Sequence, residues 1–248
     1  MIDTARERLI FALDVDSPEE AREWVRLLSG KVGLFKVGKQ LFTRCGPEVV
    51  RMIRAAGGEV FLDLKFHDIP NTVAMAALEA SRLDVMMCNV HALGGPAMMR
   101  RTVETVDRQC AVEGRRRPLL LAVTILTSSD EETLKAVGID RSVEEMVTRL
   151  ALLARDAGMD GVVASPREVE TIRRACGEDF VIVTPGVRPS FAAADDQVRI
   201  ATPAAAIATG ADYLVVGRPI AAAADPMVAA GMIVEEMAAA LAGRSPHG

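Results

Sequence analysis

The sequence predicts an α/β fold, a (β/α)8 barrel, and three observations lead to this prediction. Eight short β-rich segments alternate with helical patterns along the 248 residues. The expected strand ends run from Asp14 to Val216, so the spacing averages roughly the 30 residues of one βαβ unit. Polar side chains follow these strand ends, which is where barrels of this kind build their sites.

The expected elements follow in chain order. Strands are predicted at residues 9–13, 34–37, 60–64, 85–90, 119–125, 161–164, 181–184 and 213–216. The first helix has the clearest signals, because Ser17 is an N-cap residue, Pro18 takes the first helical position and Gly30 follows the last turn. Further helices are predicted at 47–56, 73–82, 96–112, 143–157, 166–175, 203–209 and 226–242.

An open doubly wound sheet is the structural alternative, because a strand count alone does not prove that a barrel closes. No G-x-G-x-x-G follows the first strand to mark a dinucleotide site in such a sheet. No linker rich in Pro, Gly or Ser divides the chain, so residues 1–248 are expected to form one domain.

Composition excludes several classes of protein. The 29 Lys and Arg residues against 34 Asp and Glu residues leave a net charge of −5, which lacks the basic footprint of a nucleic-acid-binding protein. The four cysteines have no metal-binding spacing and are expected to be reduced thiols. The apolar runs fall short of the roughly 20 residues of a membrane span, and no signal peptide is recognised. We therefore expect a cytoplasmic protein without a membrane segment.

Charged residues concentrate at residues 61–72, FLDLKFHDIPNT. Asp63 and Lys65 are two residues apart on a strand and should face the same side. Asp68 follows in the loop, and Lys36 ends the preceding strand, which would complete a Lys-Asp-Lys-Asp array. Such an array offers a proton-donating cation without an activated nucleophile. The alternative is a structural ion-pair network at the barrel rim.

A second group lies late in the chain. Arg188 follows the seventh strand and opens a polar loop through Gln197, while Gly217 and Arg218 follow the eighth strand. Loops at these two positions form the usual phosphate site of such barrels, and arginine can bond phosphate oxygens in pairs. The alternative is a tight turn whose arginine pairs with a carboxylate.

Several other polar residues are given no chemistry. Lys39 is interpreted as a solvated charge at a helix start, and residues 115–117, all arginine, as an exposed basic loop. His91 is expected to be structural. Asp63 and Asp68 could bind Mg²⁺ together with substrate oxygens, whereas a zinc site is not expected.

Seven segments together resemble one enzyme family, the orotidine 5′-phosphate decarboxylases. They are FALDVD at 11–16, FKVG at 35–38, FLDLKFHDIPNTV at 61–73, NVHALGG at 89–95, VTILTS at 123–128, TPGVR at 184–188 and VVGRPI at 215–220. The resemblance implies a homodimeric TIM barrel that converts orotidine 5′-monophosphate to UMP and CO₂ in de novo pyrimidine synthesis. It also implies that no metal or organic cofactor takes part.

The resemblance further implies roles for individual residues. Lys65 would protonate C6, Asp63 would lie near the departing carboxylate, and Lys36 would hold Asp63 and the ribose. Asp68 and Thr72 would reach the neighbouring subunit's site. The remaining expected substrate contacts include Asp14 to the ribose and Thr127 to the pyrimidine. The phosphate would be bound by Arg188, Gln197, Gly217 and Arg218. Ile69 and Pro185 are expected to contact the substrate as well.

Two other functions remain open at this point. Metal-dependent sugar-phosphate barrels also carry Asp-x-Lys-x-x-Asp and would place Asp63 and Asp68 around Mg²⁺. A catalytically inert nucleotide-binding barrel would bind UMP without turnover.

Overall fold

Eight strands follow one another in chain order around a closed barrel in the computed structural model, which describes residues 1–189, 191 and 201–243. The strands β1 to β8 are Leu9–Ala12, Leu34–Gly38, Glu59–Phe66, Met87–His91, Leu119–Val123, Gly161–Val163, Val181–Pro185 and Tyr213–Val216. All eight predicted strands are confirmed. The closed strand order excludes the open doubly wound sheet.

Twelve α-helices lie in the part of the chain that the structure describes. In order, α1 to α12 are Ile2–Glu7, Pro18–Leu28, Lys39–Cys45, Glu48–Ala55, Pro70–Arg82, Gly95–Glu113, Glu131–Ala136, Val143–Asp156, Val169–Cys176, Pro203–Ala208, Arg218–Ala221 and Pro226–Gly243. Short 3-10 turns span Ala92–Gly94 and Pro166–Glu168. The sequence did not predict α1, α3 or α7, which are only six or seven residues long.

Helix α2 shows that the capping signals were interpreted correctly. The hydroxyl of Ser17 accepts a hydrogen bond from the backbone N–H of Glu20 at 3.1 Å, and Pro18 occupies the first turn. Ala21, Val25 and Leu28 form the buried face. Because Ser17 binds an amide that the helix leaves unpaired, the helix begins at a defined residue.

The chain divides into two compact units, of which the first comprises residues 1–61 and 184–248. In this unit β1 pairs in parallel with β2 and with β8; Ile10 lies opposite Leu34 on one side and Val215 on the other. All four residues of β1 are buried, as expected for a parallel strand covered on both faces.

Helix α12 of the first unit packs against α1 and α10. By length and composition alone it could cross a membrane, with 18 residues and a mean hydropathy of 1.3. The core helix of a soluble protein meets the same test, and six residues of α12 are buried against its neighbours. This helix therefore gives little support to a membrane location.

The second unit comprises residues 62–183, in which β4, β5, β6 and β7 pair in parallel. Strands β6 and β7 approach closely at Gly161. A Cβ atom at this position would lie 2.1 Å from the carbonyl oxygen of Val181, so only glycine fits here.

The interpretation of residues 115–117 as an exposed basic loop is wrong for Arg117. Its guanidinium is partly buried and pairs with Asp107 and with Asp160, each at 2.5 Å. The Asp160 carboxylate also accepts the backbone N–H of Leu120 at 2.7 Å. Arg117 therefore ties the start of β5 to α6 and to the residue before β6, which is a structural role at the N-terminal ends of the strands.

Candidate active site

The end of β3 holds an ion pair inside the second unit. The Nζ of Lys65 lies 2.5 Å from Oδ1 of Asp63, and Asp63 is only 8% exposed. The sequence predicted that these two residues share a face, and in the structure their side chains contact each other. Lys65 has φ +52°, however, so regular strand alternation does not extend through it. This left-handed conformation is uncommon for a residue with a side chain and often marks a functional site.

Asn89 on β4 connects to both members of this pair. Its Oδ1 accepts the backbone N–H of Lys65 at 2.8 Å, and its Nδ2 donates to Oδ1 of Asp63 at 2.7 Å. The side chain is fully buried. The sequence assigned Asn89 no role. The available signal was an amide inside an otherwise apolar strand, because a buried amide must find hydrogen-bond partners.

The loop after β3 carries the next predicted residues, and these face solvent. Oδ1 of Asp68 accepts the backbone N–H of Ile69 at 2.6 Å. Ile69 is 68% exposed, and Thr72, in the first turn of α5, is exposed too. Within the described ranges, Asp68 forms no ion pair with Lys65. Of the predicted array, this unit therefore brings together Asp63 and Lys65 but not Asp68.

Three further polar side chains of the second unit are Thr127, His67 and His91. Thr127 is exposed in the segment between β5 and α7. The rings of His67 and His91 lie 5.6 Å apart between centroids, and His91 is half-buried. We assign neither histidine a catalytic role.

A cavity of about 790 Å³ opens in the first unit at the ends of β1, β2, β7 and β8. Among the described residues that line it, four are charged: Asp14, Lys36, Arg188 and Arg218. The Nζ of Lys36 lies 3.1 Å from Oδ1 of Asp14. Three cations against one carboxylate make this cavity suitable for a dianion such as a phosphate monoester.

The residues after β8 shape one side of the cavity. Gly217 precedes α11, and its carbonyl accepts the N–H groups of Ile220 and Ala221. A Cβ at position 217 would lie 3.2 Å from the Cβ of Ala12, so glycine also allows β8 to end close to β1. Arg218 is the first residue of α11 and is exposed.

The residues after β7 shape the other side. Pro185 and Arg188, two of the predicted substrate contacts, line the cavity, and so does Phe191, to which the sequence assigned no role. The backbone N–H of Arg188 donates to the carbonyl of Ala201 at 3.1 Å, which joins the two ends of the intervening segment. Gln197, one of the predicted phosphate contacts, lies outside the described residues.

Covalent catalysis by the cysteine of β4 has little support. Cys88 precedes Asn89, and burial raises the pKa of its thiol to about 12, so this group is protonated at neutral pH. All four cysteines are free thiols, as predicted. Nowhere in residues 1–189, 191 and 201–243 are three or more His, Cys, Asp or Glu side chains grouped to hold a metal ion.

Comparison with known protein families gives a match over residues 7–233, to the model of the orotidine 5′-phosphate decarboxylase / HUMPS family. The chain belongs to this family. A relative from Syntrophotalea carbinolica named orotidine 5′-phosphate decarboxylase is 71% identical over 241 residues, which covers 97% of this chain and 99% of that protein. A second, from Geobacter sulfurreducens and of the same name, is 64% identical over 96% of this chain and 98% of that protein.

Solved structures of orotidine 5′-phosphate decarboxylase have the same fold. The enzyme from Lactobacillus acidophilus matches with a TM-score of 0.82 and 37% identity over 92% of this chain and 98% of that one. An uncharacterized conserved protein from Geobacillus kaustophilus matches with a TM-score of 0.79 and 39% identity over 92% of this chain and 99% of that one. The predicted family, enzyme class and TIM-barrel fold are therefore confirmed.

Proposed function

We propose that the protein decarboxylates orotidine 5′-monophosphate to UMP and CO₂ in pyrimidine biosynthesis, with Lys65 as the proton donor. The observation that carries this proposal is the ammonium of Lys65 held 2.5 Å from the buried carboxylate of Asp63. Family membership supports the substrate, since the relatives named above are orotidine 5′-phosphate decarboxylases.

The chemistry requires a localised cation. When the bond between C6 and the carboxylate breaks, CO₂ leaves and the electron pair stays in an sp² orbital that the ring π system cannot delocalise. A positioned ammonium stabilises this charge and then transfers its proton to C6, which forms UMP. Lys65 then regains a proton from solvent. Asp63 orients the ammonium before the reaction.

The substrate's phosphate is assigned to the cavity of the first unit. Arg188 and Arg218 supply guanidinium groups there, and we assign the phosphate contacts to them together with Gln197 and Gly217. Asp14 and Lys36, which contact each other in the same cavity, are assigned to the ribose. Binding energy from a remote phosphate can be used to order the site around the base.

The remaining contacts are assigned from the family resemblance. We propose that Lys36 also helps to hold Asp63, that Thr127 contacts the pyrimidine, and that Ile69 and Pro185 border the substrate. We further propose that residues 1–248 form one catalytic domain, located in the cytoplasm, that works without a metal or organic cofactor.

Asp68 and Thr72 are assigned to the active site of a second subunit in a homodimer. Two features of the described chain support this assignment. Asp68 and Thr72 face solvent rather than Lys65, and Ile69, Met75 and Leu93 are exposed apolar side chains of the same unit. Exposed apolar side chains close to functional polar groups are typical of subunit interfaces.

Orotidylate turnover in EDTA tests the reaction itself. We expect full activity in the presence of the chelator. Activity is measured as the loss of ultraviolet absorbance when the substrate is converted. Loss of activity in EDTA with rescue by Mg²⁺ would favour the metal-dependent sugar-phosphate chemistry. Calorimetric binding of UMP without any turnover would favour an inert barrel.

Replacement of Lys65 tests the proton donor. Lys65→Ala should retain UMP binding and lose at least about 10⁴-fold in kcat, since it removes both a general acid and an electrostatic stabiliser. An undiminished kcat would refute this role.

Subunit mixing tests the shared site. Inactive Lys65→Ala and inactive Asp68→Ala subunits should regain activity when mixed, because one site of each heterodimer carries neither change. Absence of recovery after verified subunit exchange would contradict the homodimer assignment.

A further inference from the structure

We propose that Asn89 is a positioning residue, which sets both the backbone of Lys65 and the carboxylate of Asp63 in the geometry needed for proton transfer. The inference rests on the proposed decarboxylation. It concerns a side chain that acts only through its two neighbours on β3.

The first contact is with the backbone. Lys65 adopts φ +52°, a conformation that a residue with a side chain adopts only when the surrounding structure holds it. Its N–H donates to Oδ1 of Asn89 at 2.8 Å. The amide therefore provides an acceptor for the N–H of Lys65 in this turned conformation. The direction in which the Lys65 side chain leaves the strand depends on that contact.

The second contact is with the carboxylate. Nδ2 of Asn89 donates to Oδ1 of Asp63 at 2.7 Å, and the same oxygen receives the ammonium of Lys65 at 2.5 Å. One carboxylate oxygen thus lies between the amide of Asn89 and the ammonium of Lys65. The amide limits rotation of the carboxylate, and the carboxylate in turn determines where the ammonium rests.

Only one orientation of the amide satisfies both contacts. An N–H of Lys65 requires the amide oxygen, and a carboxylate requires the amide nitrogen, so a flipped side chain would lose both bonds. The side chain is fully buried, and Leu121 of β5 lies opposite it in the strand register. The other ionisable groups on β4 and its neighbouring strands are Glu59, Asp63 and Lys65 on β3 and Cys88 and His91 on β4 itself, and Glu59 pairs with Arg54.

Two variants separate positioning from simple structural support. Asn89→Leu keeps the approximate size and removes both hydrogen bonds. We expect kcat to fall about 100-fold, the effect of misplacing a reacting group by about 1 Å. KM and UMP affinity should change less than about threefold, because the phosphate contacts remain.

Asn89→Asp gives a signature in its pH dependence. A protonated carboxyl group resembles the amide, since its C=O accepts from Lys65 and its O–H donates to Asp63. Two carboxyl groups this close do not both ionise readily, so they share a proton at low pH. The kcat of Asn89→Asp relative to wild type should therefore be highest at acid pH and fall as pH rises, whereas Asn89→Leu stays low throughout.

Ser81→Ala is the matched control. Ser81 is also buried in the second unit and donates to the carbonyl of Leu78 at 2.7 Å, on α5. Ser81→Ala removes this hydrogen bond and should lower Tm without changing kcat. Wild-type turnover is measured alongside, so failure of the proposed decarboxylation would appear as an inactive wild type.

An active wild type with an unchanged kcat in Asn89→Leu would overturn the role of Asn89. If Asn89→Leu does not fold, the test rests on Asn89→Asp alone. A ratio of its kcat to the wild-type kcat that does not change with pH would refute the positioning role of Asn89.

Discussion

Removing Arg218 should separate the phosphate's contribution from that of the pyrimidine. Arg218 lines the cavity that we assign to the phosphate, together with Arg188 and Lys36. A guanidinium can form two charge-assisted hydrogen bonds to one phosphate, each contributing about 1.5–3 kcal/mol. Because Arg218 is exposed, we take the lower figure for each bond. The total of about 3 kcal/mol corresponds to a loss of about 150-fold in kcat/KM for Arg218→Ala.

The assay follows orotidylate and its nucleoside, orotidine, by absorbance. Arg218→Ala should affect orotidylate strongly and orotidine hardly at all, since orotidine lacks the phosphate. Arg51→Ala is the control, because among the described residues Arg51 pairs with Glu48 of its own helix, α4. Equal losses with both substrates, or a loss below about fivefold with orotidylate, would refute the phosphate assignment.

Three further predictions concern stability. Gly161→Ala should lower the unfolding free energy by about 3 kcal/mol or more, because its Cβ would meet the backbone oxygen of Val181. Gly231→Ala on α12 has open space around the new Cβ and should raise the unfolding free energy by up to about 1 kcal/mol. Denaturant unfolding distinguishes these opposite signs. Arg117→Ala should cost about 1–2 kcal/mol, lowering Tm by about 2–8 °C, since the ion pairs are partly buried. A Tm within 1 °C of wild type would contradict that structural role. Burial raises the pKa of Glu168, so the folded state favours its protonated form. The unfolding free energy of wild type, relative to that of Glu168→Gln, should therefore rise as pH falls from about 7 to about 4. A free-energy difference between the two proteins that stays constant with pH would refute this.

Most of the barrel could be predicted from the sequence because its signals are local. The strands are short apolar runs, and α2 carries its own capping residues, so neighbouring residues suffice to recognise them. Helices α3 and α7 were missed because six or seven residues provide little periodicity. Arg117 was misinterpreted because one of its partners, Asp160, lies 43 residues away.

The candidate site could be predicted in part. Asp63 and Lys65 were found because charges are unusual at the end of an apolar strand. The role of Asn89 depends on the left-handed backbone of Lys65, which no pattern in a single sequence reveals. The assignments of Asp68 and Thr72 to a second subunit remain predictions.

The turned backbone at Lys65 has a consequence for efforts to make this enzyme more robust. Glycine adopts a positive φ most easily, so glycine at position 65 would relieve the strained backbone. The same exchange would remove the ammonium that we propose as the proton donor and would take that counter-charge away from the buried carboxylate of Asp63. Position 65 should be kept unchanged in any programme that seeks heat tolerance, because relief of backbone strain and turnover demand different residues there.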